Sequence, residues 1–331
     1  MDVPLWVWAA VVAAIVVALL ADLLVFHRDS REVSMRESAI TSAIWIAIGI
    51  SFGIGVWVVA GPERGGEWFA GYLIEKALAV DNIFVFAVIF GAFAVPPALQ
   101  RRVLFFGVLG ALVFRGAFIA LGASLIEAFS WVLYVFGAFL VLTGVRLAKG
   151  KGHNIDPSNN VLVRGLRRIM PVTDSYEGQR FFLKRDGRRW ATPMLAVLLA
   201  IESSDVVFAV DSIPAIFAVT DDPFIVFTSN AFAILGLRAL YFLLAGAVHR
   251  FRYLGKGLAG VLVFVGVKML IADVMHIPIA VSLAVIATIL TIAIGTSMRR
   301  HASSGQAEAR STRNEPVALT SVNRPDSSAR Q

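Results

Sequence analysis

The feature that most constrains this chain is a series of apolar runs, each close to the length that crosses a bilayer. A hydrocarbon core takes ~20 helical residues. Runs of this kind cover 3–26, 40–60, 69–95, 103–126, 130–148, 191–219, 224–248, 258–272 and 277–298. A segment inside lipid must satisfy its own backbone polar groups, so such runs fold as helices. Composition agrees, with 58% hydrophobic residues and 16% charged, against about 25% charged in soluble domains. The reading is an all-α, polytopic transmembrane bundle of nine spans.

The formal net charge of +7 does not point to nucleic acid, because the basic residues are topology signals. Of the 30 Lys and Arg, 25 fall in alternate loops and the tail, and the intervening loops hold only Arg64. Four more, Lys76, Arg115, Arg238 and Lys268, lie inside spans. The positive-inside rule then places the N-terminus outside and the C-terminus in the cytoplasm of a plasma (inner) membrane, which requires an odd number of spans. The first run is too long for a signal-peptide core and lacks a basic flank, so it reads as an uncleaved span. A basic loop, 149–190, carries turn residues and a short surface helix near Leu166, and contact with anionic lipid suits it. Residues 299–331 have little to bury and read as a disordered cytoplasmic tail after a transmembrane domain of 1–298. There is no cysteine, which removes disulfides, thiolate metal sites and cysteine nucleophiles. The histidines His27, His153, His249, His276 and His301 fall at helix ends, in loops or in the tail, which does not suit a transition-metal cage.

Acids inside a membrane carry a high insertion cost and mark function by default. The 69–95 run contains Glu75, Asp81 and Asn82, and the 191–219 run contains Glu202, Ser203, Asp205, Asp211 and Ser212. Ala79-Val80-Asp81-Asn82-Ile83 aligns with Ala209-Val210-Asp211-Ser212-Ile213 at an offset of 130, which also sets Glu75 on Asp205. Downstream, Arg115-Gly116-Ala117-Phe118 matches Arg238-Ala239-Leu240-Tyr241, and Gly144-Val145-Arg146 matches Gly266-Val267-Lys268. Spans three to five therefore read as a copy of spans six to eight. Three helices per copy is odd, so the copies are inverted, as in secondary transporters that bind substrate at the repeat interface. Acids six apart diverge by ~240° on a straight helix. Gathering them at one centre would need a break, with Pro214 the candidate in span six and local unwinding at 79–82 in span three.

Glu75, Asp81, Asn82, Glu202, Asp205, Asp211 and Ser212 form an anionic all-oxygen set suited to a hard divalent ion, Mn²⁺ or Ca²⁺, as transported substrate. No tightly bound cofactor is expected. Crowded carboxylates release protons on binding metal, so proton coupling fits. Lys76, Arg115, Arg238 and Lys268 read as structural counter-charges. Asp22 reads as snorkelling or capping at the cytoplasmic end of span one. Glu127, Asp221, Asp222, Asp273 and His276 gather on the outer side, as solvated loop acids or as a release vestibule. Trp6, Trp8, Trp57 and Trp68 read as interfacial anchors.

These motifs also resemble a known family. The stretch from Glu202-x-x-Asp205 through Ala209-Val210-Asp211-Ser212-Ile213-Pro214 to Thr220, the stretch Asp222-Pro223-Phe224 to Asn230, and Leu235-Gly236-Leu237-Arg238 are similar to the TerC (tellurium resistance) family, in its Alx-like branch. So are Glu75-Lys76-Ala77-Leu78-Ala79-Val80-Asp81-Asn82 and Pro171-Val172-Thr173-Asp174. The resemblance covers roughly 1–298. It implies a bacterial plasma-membrane protein of metal homeostasis, linked to manganese efflux, with the family's acidic positions on Glu75, Asp81, Glu202, Asp205 and Asp211. Tellurite is an anion and suits an acidic site badly.

Two rival readings remain. An intramembrane aspartyl hydrolase with Asp81 and Asp211 as its dyad leaves Glu75, Glu202 and Asp205 without a role, and the chain is not expected to be an enzyme. A scaffold for membrane-protein assembly would place its contacts on the 149–190 loop. Either a homo-oligomer or a membrane-protein partner is compatible with the sequence, with lipid around the bundle.

Overall fold

The computed structural model describes residues 3–25, 34–129, 131–149, 161–185, 187–244, 254–275 and 277–313. For Asp81, Phe84, Leu254 and 298–313 the side chains lie outside that description. So do His27, His153, His249 and His276, and residues 314–331 of the expected tail.

The protein is predominantly helical. Among the described residues its helices are α1 (Leu5–Val25), α2 (Met35–Ala92), α3 (Pro97–Ala128), α4 (Val132–Ala148), α5 (Val161–Ile169), α6 (Pro193–Phe217), α7 (Pro223–Ile234), α8 (Leu237–Leu244), α9 (Leu254–Leu270) and α10 (Ile279–Arg313). By length and composition, α1, α2, α3, α6 and α10 can cross a membrane, and the α7–α8 pair, bent by 41°, makes a sixth candidate. This is a multi-pass membrane protein. The α10 helix runs on to Arg313, so the first part of the stretch expected to be disordered is helical.

Starts and breaks follow local chemistry. At the start of α2, Ser34 caps the helix by accepting from the Glu37 amide at 3.2 Å, with Glu37 in the position of a capping box. Pro97, Pro193 and Pro223 open α3, α6 and α7, where a missing amide hydrogen costs nothing. Asp222 caps α7 by accepting from the amides of Phe224 and Ile225.

The α2 segment is not one straight helix but a hairpin of two helical limbs. Gly61 takes φ 91°, ψ 170°, a conformation open essentially to glycine, and Pro62 starts the second limb. A Cβ on Gly53 would lie 2.5 Å from the Trp68 ring, and one on Gly49 2.9 Å from Tyr72. Gly65 likewise abuts Trp57. These pairings set residues 35–60 antiparallel to 62–92. The second turn of this sort is at Gly236, φ 80°, between α7 and α8, where Trp45 approaches within 2.6 Å of a would-be Cβ.

In lipid there is little hydrophobic drive between helices, and close packing across small residues holds them together. The α4–α9 contact follows that rule: a Cβ on Gly137 would meet the Gly266 carbonyl at 3.0 Å, and Gly144 sits against Ala259 and Val263. The α6 helix lies against α2 and α3, while α2 also packs on α7 and α8. Trp68, expected at an interface, is fully buried. Its indole donates to Thr228 at 3.1 Å and stacks on Tyr72. Trp6 remains largely exposed and Trp57 partly so.

The basic loop is more ordered than its composition suggested. It holds α5 and a hairpin of β1 (Phe182–Arg185) and β2 (Arg188–Ala191), antiparallel with Phe182 opposite Ala191. Tyr176 donates to the Phe93 carbonyl at 2.8 Å, and Phe181 meets Phe106 edge-on. Those contacts seat the loop on the α2–α3 turn.

Candidate cation site

Four helices converge on the Arg115 guanidinium. Arg115 comes from α3, Glu75 from the second limb of α2, Asp205 and Ser212 from α6, and Asn230 from α7. Arg115 is 1% exposed, Asp205 2% and Glu75 0%. Charges buried this deeply persist only when paired and hydrogen-bonded.

The pairing is nearly complete. Nε and Nη2 of Arg115 donate to the two oxygens of Asp205 at 3.1 and 2.9 Å, the fork geometry that suits a carboxylate best. Nη1 donates to Glu75, and reaches Ser212 Oγ at 3.3 Å and Asn230 Oδ1 at 3.5 Å. The Asn230 amide turns its nitrogen to the second oxygen of Glu75 at 3.1 Å. A planar cation is thus enclosed by two carboxylates, a hydroxyl and an amide oxygen. Two acids share one guanidinium.

The expected breaks in the acid-bearing helices are absent. Pro214 lies in the last turn of α6, which runs unbroken from Pro193 to Phe217. Its missing amide forgoes the bond to the Val210 carbonyl and its ring crowds that turn, yet the helix absorbs both without a break. The second limb of α2 is likewise helical through 79–82. The acids are therefore not gathered by unwinding. Instead one acid from each helix, Glu75 and Asp205, meets at the helix–helix contact.

The remaining residues spread around that centre. Glu202 presses on Gly110 of α3, and its buried Oε2 has no hydrogen-bond partner among the described residues. Asn82 is buried, and its Nδ2 also has none. Asp211 is buried one residue before Ser212. Ser203 turns back to the Ala200 carbonyl at 2.9 Å. Among the described residues no three His, Asp or Glu side chains stand close enough to share a metal ion, and the Asp81 side chain lies outside them.

The other cations in the spans take separate roles. Lys76 donates to the Ala233 carbonyl at 2.8 Å and stands 5.7 Å from the Tyr72 ring centroid. Arg238 pairs with Asp22 of α1, so Asp22 is a buried ion-pair partner and not a snorkelling residue. Lys268 is partly buried on α9. On the opposite rim, Glu67 accepts from Arg64 at 2.9 Å and from Thr220 at 2.7 Å. Asp221 is exposed there, Asp222 serves as a helix cap, and Asp273 takes the Tyr134 hydroxyl. Glu127 is exposed.

Asn230 is not singled out by the sequence analysis, which takes neutral side chains only where they adjoin the acids, as Asn82, Ser203 and Ser212 do. Its signal was the run Thr228-Ser229-Asn230 inside an apolar segment, three polar side chains that lipid would not accept.

The sequence profile described as "Integral membrane protein TerC family" matches residues 60–304. This chain belongs to the TerC family. Among its relatives is a Myxococcus xanthus membrane protein named as uncharacterized STKORF319, 50% identical over 91% of this chain and 95% of its own length. The Escherichia coli K12 protein named "Putative membrane-bound redox modulator Alx" is 50% identical over 87% of this chain and 92% of its own. A Rickettsia bellii membrane protein is 41% identical over 88% and 97%. No solved structure matches the chain, so the site geometry of this TerC protein stands without an experimental counterpart.

Proposed function

We propose that this protein is a secondary transporter that exports a hard divalent cation, Mn²⁺ foremost, through the Glu75–Asp205 site. One observation carries the reading: two acids at the same position of a sequence repeat, 130 residues apart, converge on one buried cation together with Ser212 and Asn230. Oxygen-only donors of this kind favour Mn²⁺ or Ca²⁺, and Mg²⁺ sheds its waters too reluctantly for a dry pocket. Asn82, Glu202 and Asp211 line the approach to the same centre in this proposal, and Asp81 joins them by its place in the sequence repeat.

The bundle itself supports an inverted repeat. With α2's second limb, α3 and α4 set against α6, α7–α8 and α9, the contact of α3 with α6 has its counterpart in that of α7 with α2. The α4–α9 pair, antiparallel across Gly137 and Gly266, would lie on the pseudo-twofold axis. Counting the two limbs of α2 separately and α7–α8 as one gives nine spans, N-terminus outside and C-terminus in the cytoplasm, in a bacterial inner membrane. Residues 299–331 would then form a cytoplasmic extension of the transport domain.

The redox term in the Escherichia coli relative's name is compatible with this reading. This chain has no cysteine, so it has no thiol couple of its own, and export of a redox-active metal would be its route to such an effect.

The test is ⁵⁴Mn²⁺ flux in proteoliposomes, with Ca²⁺ as competitor, for wild type, Glu75→Gln and Asp205→Asn. Saturable flux reduced ~100-fold or more in both variants is the expected result, on the scale of lost metal-site partners. Wild-type vesicles impermeable to both ions would sink the transporter reading and favour a scaffold working through the 149–190 loop.

A further inference from the structure

The oxygens assigned to the transported ion are already in use. Asp205 gives both carboxylate oxygens to Arg115, Glu75 gives one to Arg115 and one to Asn230, and Ser212 and Asn230 complete the enclosure. A divalent ion would have to take those same oxygens at ~2–2.6 Å, on the side where the guanidinium nitrogens now stand at 2.9–3.5 Å. Ion and guanidinium therefore exclude each other by sterics and by charge.

We propose that Arg115 is a tethered competitor for the ion, a side-chain cation that leaves the Glu75–Asp205 site when Mn²⁺ enters and returns when Mn²⁺ departs. The proposal rests on the transport reading above.

Three features argue for exchange over a fixed salt bridge. First, the cluster holds two carboxylates to one guanidinium, so it keeps a surplus acid that a permanent structural pair would not need. Second, Arg115 is on α3, and its partners are on α2, α6 and α7. No partner shares its helix, so a sidestep of α3 or a rotamer change removes the guanidinium without disturbing the arrangement of the oxygens. Third, the α3 face beside it is built of glycine: Gly107 and Gly110 lie against Ile201 and Glu202 of α6 with no space for a Cβ at Gly110. Glycines at such a contact let two helix backbones approach closely, without interlocked side chains to hold α3 in one place.

The device solves a physical problem of any carrier for a charged substrate. Once the ion leaves, two buried carboxylates would stand unpaired in a low-dielectric site, a state costly enough to stop the empty carrier from returning. Arg115 offsets one of those two charges and hydrogen-bonds both carboxylates. It also sets selectivity, since a monovalent ion offers the carboxylates no more charge than the guanidinium it must expel.

The experiment measures Mn²⁺ binding by loss of the free-ion paramagnetic resonance signal, with purified protein in nanodiscs. Wild type, Asp205→Asn, Arg115→Gln and Arg115→Ala are compared, each checked for folding by thermal melting. The expected result is Mn²⁺ binding at least ~10-fold tighter in Arg115→Gln than in wild type, with net efflux lost; removing a tethered competitor raises apparent affinity by the reciprocal of the fraction of time the site stood free of it. In Arg115→Ala, added methylguanidinium should compete with Mn²⁺, and in wild type it should not. Equal or weaker Mn²⁺ binding in folded Arg115→Gln overturns the proposal and leaves the transport reading standing. Absence of Mn²⁺ and Ca²⁺ binding in wild type overturns both. If neither Arg115 variant folds, wild type decides: phenylglyoxal should modify Arg115 at saturating Mn²⁺ and spare it in metal-free protein. Arg115 equally protected in both conditions would overturn the exchange.

Discussion

Arg115 and Arg238 hold matching positions in the two sequence copies, and both are buried beside an aspartate, yet they serve different regions. Arg115 sits at the middle of the bundle and draws on three other helices. Arg238 reaches outward to Asp22 of α1, a helix that belongs to neither copy, and its contact runs through Nη2 to the carboxylate and to the Asp22 carbonyl. The difference has a local cause. The α3 helix passes through Arg115 without interruption, whereas Gly236, at φ 80°, breaks the chain two residues before Arg238 and turns α8 by 41° from α7. A repeat in sequence therefore does not imply a repeat in role. One arginine ties three helices together at the acid cluster, and the other fastens the first helix to the bundle.

The comparison breaks most visibly when each arginine loses its acid. Asp205→Ala leaves a guanidinium in a dry site with Glu75 alone, and should lower stability by ~3–5 kcal/mol and abolish flux in proteoliposomes. Asp22→Asn keeps the shape and removes the charge beside Arg238. It should cost ~1.5–3 kcal/mol, the range for a hydrogen bond to a charged group, read as a lower melting temperature in nanodiscs. Flux per folded molecule should be unchanged. A flux defect in Asp22→Asn that matches that of Asp205→Asn would mean that the Arg238 pair also belongs to the transport path.

Packing gives a smaller effect and tests the repeat itself. Gly137→Ala forces a methyl against the Gly266 carbonyl at 3.0 Å, and overpacking of this kind costs ~1–3 kcal/mol. Gly266→Ala meets Gly137 in the same way from the other side, so a near-equal loss in the two variants is the expected outcome. Gly55 has nothing within 4 Å of a would-be Cβ, and Gly55→Ala should be neutral or stabilising. Unequal losses at Gly137 and Gly266 would argue against a symmetric α4–α9 axis.

The sequence was most legible where the physics is local. Apolar runs marked the helices, and Glu75 and Asp205 stood out because a charge in a span has few excuses. The hairpin at Gly61 coincided with a gap between two runs for the same reason. What could not be read depended on partners far away in the chain. Trp68 has the amphipathic character of an interfacial anchor, and only the distant Thr228 and Tyr72 make it a core residue. Asp22 gave no sign that Arg238, 216 residues on, would reach it. Pro214 misled in the opposite way: its missing amide and its ring act on the turn before it, 210–213, yet α6 stays helical through that turn to Phe217.

The finest contrast keeps the charge at both arginines and changes only its shape. Lysine is a point charge without the planar fork. Arg238 meets Asp22 through Nη2, so Arg238→Lys can keep that charged hydrogen bond and should cost less than the same change at Arg115. Arg115 spreads five contacts over three nitrogens, and a single ammonium cannot span Asp205 and Glu75 together with Ser212 and Asn230. Arg115→Lys should therefore cost ~1.5–3 kcal/mol and leave Mn²⁺ binding tighter than in wild type, because a weaker occupant is easier to expel. Parallel melting curves and Mn²⁺ titrations of the two variants decide the matter. Equal thermal losses, with Mn²⁺ affinity unmoved in both, would make the two arginines alike as structural counter-charges and erase the distinction between the regions they hold together.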